Sequence, residues 1–233
     1  MLFLHEVHQV AGAREDEFEA AFRDEWMPAL AKGDDARLLY FLHHAHGTGR
    51  AYNVVTITAV RDGAAWEDLA RRVQAGDLRE WAGAVDHLRH RVTGKLLLPV
   101  PWSPLTDVDL SAVPTTADHE LTLFMEDTAW PHEGMLDDYL EAARSQYAPS
   151  LAEGRGRGIL ELEAVFQPAW GTGARLEVVL WQKVRDPRAI TGLVSTEVPA
   201  EYRAPGTWMH DALRVRDDWE SKLLRTAAWS PMW

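Results

Sequence analysis

The chain contains a second copy of itself, and that constrains its fold more than any other feature. Phe18, Trp26, Pro28 and Leu30 recur 121 positions later as Tyr139, Tyr147, Pro149 and Leu151, each set inside an acidic amphipathic stretch. Gly47-Thr48-Gly49, Val54-Val55 and Arg61-Asp62 recur at a spacing of 124 as Gly171-Thr172-Gly173, Val178-Val179 and Arg185-Asp186. Trp81, Lys95-Leu96-Leu97 and Trp102-Ser103-Pro104 recur at 127 as Trp208, Lys222-Leu223-Leu224 and Trp229-Ser230-Pro231. Slow growth of the spacing is what small loop insertions produce in a duplicated unit. Residues 1–105 and 119–233 therefore read as two copies. Residues 106–118, with Asp107, Asp109, Pro114 and Thr115-Thr116, have linker composition.

Each copy reads in one order. Leu2 to His8 alternates as a strand, and Glu15 to Leu30 forms a helix with Phe18, Phe22 and Trp26 at four-residue spacing on one face. Leu38 to His46 and Ala51 to Val60 are β-rich runs joined by Gly47-Thr48-Gly49, a hairpin signal. A helical region follows with Trp66, Leu69 and Val73, then Trp81, Val85 and Leu88, and Lys95 to Leu98 closes the copy as a strand. The second copy repeats this with Glu120 to Glu126, Met135 to Leu151, Ile159 to Gln167, Arg175 to Lys183, Trp208 to Trp219 and Leu223 to Ala227. Strand, helix, strand, strand, helix, strand is the split βαβ order of a ferredoxin-like α+β unit. Such a unit covers one sheet face with helices and leaves the other bare, so two copies are expected to bury their bare faces on each other as a pseudo-twofold barrel.

Three patches carry a family resemblance: the acidic helix ending Phe22 to Trp26-Met27-Pro28, the strand Tyr52-Asn53-Val54-Val55-Thr56-Ile57-Thr58, and Arg61-Asp62 to Trp66-Glu67-Asp68-Leu69. On these residues the chain resembles the dimeric α+β barrel superfamily, and within it NIPSNAP and EthD-type proteins fused in tandem. The resemblance implies the fold and little more, because none of the patches is a catalytic signature. Its members include cofactor-free monooxygenases, polyketide cyclases and haem-dependent enzymes.

Composition narrows the chemistry. A net charge of −12, from 36 acidic against 24 basic residues, opposes a nonspecific grip on nucleic acid or anionic membrane. Zero cysteines removes thiolate nucleophiles, disulfides and cysteine metal sites. The N-terminal Met1 to Glu6 lacks a signal-peptide pattern, and Leu96 to Trp102 is too short to span a bilayer, so the protein is expected in the cytoplasm as a monomer or homodimer. Eleven tryptophans must fill a core or line a pocket. Trp26, Trp66, Trp81, Trp208 and Trp219 read as core by their helical spacing, whereas Trp130 and Trp170 read as the rim of an entrance.

Alternation along the strands assigns their faces. Leu160, Leu162, Ala164 and Phe166, Leu176, Val178 and Leu180, and Leu121, Leu123 and Met125 are expected under the helices. The barrel interior then receives Glu161, Glu163, Val165 and Gln167, Glu177, Val179, Trp181 and Lys183, and Glu120, Thr122, Phe124 and Glu126. In the first copy it receives Phe3, His5 and Val7, then Arg37, Leu39, Phe41 and His43, then Asn53, Val55 and Ile57. Desolvated carboxylates titrate upward, which makes Glu161, Glu163 and Glu177 candidate acids or bases beside His5 and His43. Trp181, Arg37, Asn53, Phe124 and Phe41 are the candidate substrate contacts. The bland alternative is that the glutamates pair with Lys183 or Arg37 and that the histidines are core residues.

His43 to His46, and His87 with His90 on one helix face, have metal-ligand spacing but no evident third ligand, so no metal is expected. Gly154-Arg155-Gly156-Arg157-Gly158 reads as a turn rather than a phosphate cradle. The expectation is a small-molecule enzyme, without cofactor, performing acid–base cyclisation, dehydration or isomerisation on an apolar or aromatic substrate, compatible with bacterial specialised metabolism. Three alternatives stay open: a cofactor-independent monooxygenase, a haem enzyme with His132 or His210 as axial ligand, and a barrel that binds a ligand without chemistry.

Overall fold

The computed structural model describes residues 1–152, 158–173 and 175–233. The first half runs β1 (Leu2–Val10), α1 (Glu15–Ala20), a π-helical turn (Ala21–Trp26), α2 (Met27–Leu30), β2 (Ala36–His44), β3 (Asn53–Val60), α3 (Gly63–Ala75), α4 (Arg79–Asp86) and β4 (Arg89–Pro99). The second runs β5 (Leu123–Trp130), α5 (Leu136–Ala142), a π-helical turn (Ala143–Tyr147), α6 (Ala148–Ala152), β6 (Leu160–Pro168), β7 (Val178–Val184), α7 (Pro187–Ser195), α8 (Trp208–Asp211) and β8 (Asp218–Thr226). The strands close into one antiparallel barrel in the order β1-β3-β2-β8-β5-β7-β6-β4, two ferredoxin-like sheets joined edge to edge.

The repeated motifs explain both the helices and the closure. Asp62 and Asp186 cap α3 and α7, accepting from the backbone N–H of Ala65 and Arg188 at 2.9 Å. Gly47 and Gly171 both take φ of +82°, the left-handed turn geometry that favours glycine. Each following threonine then clamps its hairpin to the other half. Thr48 Oγ1 donates to the Leu223 carbonyl and Thr172 Oγ1 to the Leu96 carbonyl, both at 3.1 Å. The Trp-Ser-Pro motifs do the same at the opposite end. Ser103 Oγ accepts from Val165 N at 2.9 Å, and Ser230 Oγ accepts from Phe41 N at 3.1 Å. These side-chain bonds matter because each seam has only three strand pairs, Leu42 to His44 on β8 and Leu97 to Pro99 on β6.

The interior is a packed apolar core. Phe3, Leu39, Tyr40, Val55, Ile57, Phe124, Ala164, Phe166, Val179, Trp181 and Leu224 fill it. One end is stopped by the segment between β4 and β5, which sends Leu110 and Val113 into that core. Two further cores lie between the sheets and their helices. Among the described residues no helix is long and apolar enough to cross a membrane.

Two bulges change the expected strand faces. β2 shifts register between Leu38 and Tyr40, and β6 between Leu162 and Ala164, at matching places in the repeat. A single extra residue sends every later side chain to the other face. Phe41 therefore packs under the helices of the first half rather than inside the barrel, and His43 points to the same side, onto Glu19. Ala164 and Phe166 face inward instead of outward, while Val165 joins the helix-side core. Trp219 also departs from expectation, since it opens β8 and stands half exposed instead of lying on a helix.

Candidate functional site

Part of the barrel interior is polar. His5 on β1 meets Glu126 on β5, with Nε2 and Oε2 2.7 Å apart, and Lys222 Nζ donates to Oε1 of the same carboxylate at 3.1 Å. His5 and Glu126 are 2% and 0% exposed. Burial pushes the Glu126 carboxyl up, but the charges of His5 and Lys222 outweigh it and hold it well below the usual range. Beside this network Lys95 pairs with Glu177, which also accepts from Trp130 Nε1 at 3.1 Å. Every acid here has a cation or a donor, and every cation has an acid.

The other expected residues do not gather round one cavity. Trp181 lies inside, 1% exposed, stacked at 5.4 Å on Phe124 and against Tyr40 at 5.2 Å. Asn53 faces the interior with Oδ1 buried and unpartnered. Glu161 lies across from Lys183 at a strand end and pairs with Arg185. Glu163 falls on the bulge, where burial and the neighbouring Glu161 raise its carboxyl. Arg37 closes the end of α2, its Nη1 donating to the carbonyls of Leu30, Gly33 and Ala36 at 3.0, 2.6 and 2.7 Å.

Among the described residues no three His, Asp or Glu side chains converge as a metal site. His87 follows α4 and His90 lies on β4, so they do not share the expected helix face. His132 and His210 lie exposed beside Asp217 and Asp211, 3.7 and 2.9 Å away, and as solvated, acid-paired side chains do not fit as haem ligands. Trp170, 97% exposed, lines nothing. The Gly154 to Arg157 part of the glycine–arginine run lies outside the described residues.

The opposite face of β1 holds what the strand pattern alone did not single out. Leu4 and Glu6 line a cleft of about 210 Å³ between the sheet and the helices of the first half. Its walls are Phe22 and Trp26 from the π-helical turn, Trp66, Leu69 and Val73 from α3, Trp81 from α4 and Arg89 from β4. Trp26 and Trp81 stack at 4.4 Å and 15°. Trp81 is held there by its Nε1, which donates at 3.0 Å to the carbonyl of Ala21, at the start of the π-helical turn. Trp26 lies in the core as expected with Trp81 packed against it, while Trp66 is exposed, and all three also line the cleft.

The polar members of this wall are ordered from behind. Arg89 donates through Nε and Nη2 to Asp86 at 3.0 and 2.6 Å, and through Nη1 to His8 Nδ1 at 2.8 Å. Arginine only donates, so His8 carries its proton on Nε2 and gives it to Thr56 Oγ1 at 3.0 Å. Burial, then the charges of Arg89 and His5, hold the His8 imidazole well below its ordinary value, so it is neutral. Glu6 is different, because among the described residues its carboxyl has no hydrogen bond and no ion pair. Burial raises its pKa, and the charge of Arg89 offsets part of the rise. Sequence periodicity could have paired Glu6 with His8 on one face of β1, but only the structure brings Arg89 and three tryptophans to them.

No family model matches the chain, and no curated protein matches it. Solved structures do. A proposed monooxygenase from Fusobacterium nucleatum subsp. nucleatum is 7% identical, with 98% of this chain and 93% of that one covered at a TM-score of 0.60. An anthrone oxidase-like protein is 10% identical over 97% of this chain and 91% of its own, at 0.54. A proposed chlorite dismutase is 11% identical over 97% and 94%, at 0.51. These likenesses show the fold alone, an α+β barrel with both ferredoxin-like units in one chain.

Proposed function

We propose that the protein is an enzyme of acid–base chemistry whose substrate, a small planar apolar or aromatic molecule, binds in the helix-side cleft of the first half. One observation carries this reading: Glu6 is an unpartnered carboxyl with a raised pKa, set in an aromatic wall beside an arginine. A carboxyl raised by burial is a stronger base than a solvated one and can both take a proton and return it. The cleft is smaller than the usual ligand pocket, which suits one compact, flat molecule lying against the tryptophans.

In this reading Glu6 removes a proton from a carbon next to a substrate carbonyl, and the electron pair moves onto the carbonyl oxygen. Arg89, fixed by Asp86 and His8, stabilises the enolate with its remaining N–H groups. Return of the proton from Glu6 to a different carbon completes an isomerisation; attack of the enolate carbon on a second carbonyl of the same molecule, whose oxygen receives the electron pair and then the proton from Glu6, completes a cyclisation. His8 orients the guanidinium and stays neutral.

The test uses β,γ-unsaturated aryl ketones, which isomerise by proton transfer between carbons, and aromatic diketones, which can cyclise, with product analysis and an oxygen electrode. Wild-type protein should convert the substrate without consuming oxygen, and Glu6→Gln should lower turnover by about 10²-fold or more while remaining folded. Full activity in Glu6→Gln refutes the assignment. Stoichiometric oxygen uptake moves the reading to a cofactor-independent oxygenase, in which the same carbanion reduces dioxygen.

A further inference from the structure

The second half contains a buried cation that the chain leaves unmatched. Arg216, immediately before β8, is 7% exposed. Among the described residues its side chain has no carboxylate within 4.0 Å and donates no hydrogen bond, and its Nε is enclosed without a partner. Its guanidinium carbon lies 5.0 Å from the ring centre of Trp219 and 5.9 Å from that of Trp208, so two π faces hold it in place. The acid on the facing strand is raised by burial and feels the guanidinium's charge, which lowers its carboxyl in part, but it makes no direct pair with the arginine and is engaged by other donors. Asp127 accepts from Gln182 Nε2 at 3.0 Å and from Ser221 Oγ. Tyr139 sits close enough for the guanidinium to lower its phenol, yet burial dominates and takes it to about 12, and no hydrogen bond of ordinary geometry joins the two.

The repeat shows what is missing. Arg216 stands 127 positions after Arg89, as Trp208 does after Trp81. Arg89 is engaged by both Asp86 and His8, but at the matching places the second half has Leu213 and Ala129. The arginine is retained while both of its partners have become apolar. A buried guanidinium without an anion is unfavourable, and its planar fork fits a flat oxyanion in two parallel hydrogen bonds.

We propose that Arg216 anchors a second binding site, for a small aromatic carboxylate whose oxygens pair with the guanidinium and whose ring packs among Trp208, Trp219 and Tyr139. This site is separate from the Glu6 cleft and does not depend on the reading given to it. Titration of the full chain with benzoate, acetate and inorganic phosphate, followed by tryptophan fluorescence and thermal melting, tests it. Benzoate should saturate a single site and raise the melting temperature. Arg216→Met should weaken benzoate at least tenfold without lowering the ligand-free melting temperature. Arg216→Lys, which keeps the charge and loses the fork, should also fold and bind more weakly. The proposal is overturned if benzoate does not saturate, if Arg216→Met binds it as wild type does, or if acetate or phosphate binds as tightly. It is also overturned if ligand-free Arg216→Met melts several degrees lower or fails to fold while Arg216→Lys melts as wild type, since the arginine would then serve the tryptophan stack alone.

Discussion

Replacing Glu126 by glutamine should lower the melting temperature by about 5–15 °C at neutral pH, and the loss should shrink in acid. Glu126 is fully buried and accepts one hydrogen bond from His5 and one from Lys222. Bonds to charged groups contribute about 1.5–3 kcal/mol each. The single carbonyl of glutamine can serve only one donor, and its amide turns an N–H toward the other, so about 2–4 kcal/mol is lost. A chain of this size shifts by about 2–4 °C per kcal/mol. The pH dependence has a definite sign. The folded carboxyl titrates well below its unfolded value, so its contribution is complete above about pH 4.5 and is lost as pH falls toward the folded value. Each pH unit below about 4.5 should remove about 1.4 kcal/mol of the wild-type advantage. Calorimetric melts of both proteins from pH 7 down to about pH 3.5 measure it. A difference that does not vary with pH, or none at neutral pH, would refute the charged network as the source of stability.

Two further outcomes follow from buried groups elsewhere. The folded His8 titrates well below its unfolded value, so the native state loses stability as pH falls through about 6.5 toward that lower value; His8→Gln should flatten this limb in pH-dependent melts, and parallel profiles would contradict a neutral His8. Leu110→Ala should cost about 2–3 kcal/mol in urea unfolding, because Leu110 stops the barrel end as part of its core; a cost below about 0.5 kcal/mol would mean the segment merely lies over the opening.

The motifs that reveal the duplication are legible because they do structural work at every copy: a capping aspartate, a left-handed glycine, a threonine and a serine that close the seams. The barrel follows from them. What alternation could not supply was the bulge at Leu39 and its counterpart at Glu163, since an unpaired residue leaves no mark in a period-two pattern. From those points onward the expected faces invert, which moved Phe41 and His43 out of the interior. The cleft was hidden for another reason. Its residues come from β1, the π-helical turn, α3, α4 and β4, and helical spacing marks a tryptophan as apolar-facing without telling a filled core from an open wall.

Fusion into one chain changes what the two halves can be. His5 and Glu126 occupy matching places in the repeat, 121 residues apart, and they meet inside the barrel. Lys95 and Lys222 are likewise a matched pair, and so are Asn53 and Glu177. Two identical subunits meeting this way would set histidine against histidine or glutamate against glutamate, and like charges buried at such range repel strongly. A duplicated chain escapes the constraint, because each copy can change alone until the pair is complementary. The helix-side faces have diverged in the same manner. Where the first half leaves Glu6 unpartnered before an aromatic cleft, the second sets Asp127, bonded to Gln182 and Ser221, with Tyr147 closing the chain onto Gln182. One carboxyl has no hydrogen bond or ion pair among the described residues and its counterpart is tied down by neighbours, so the asymmetry of the interior and the asymmetry of the two helix faces have a common origin in the fusion.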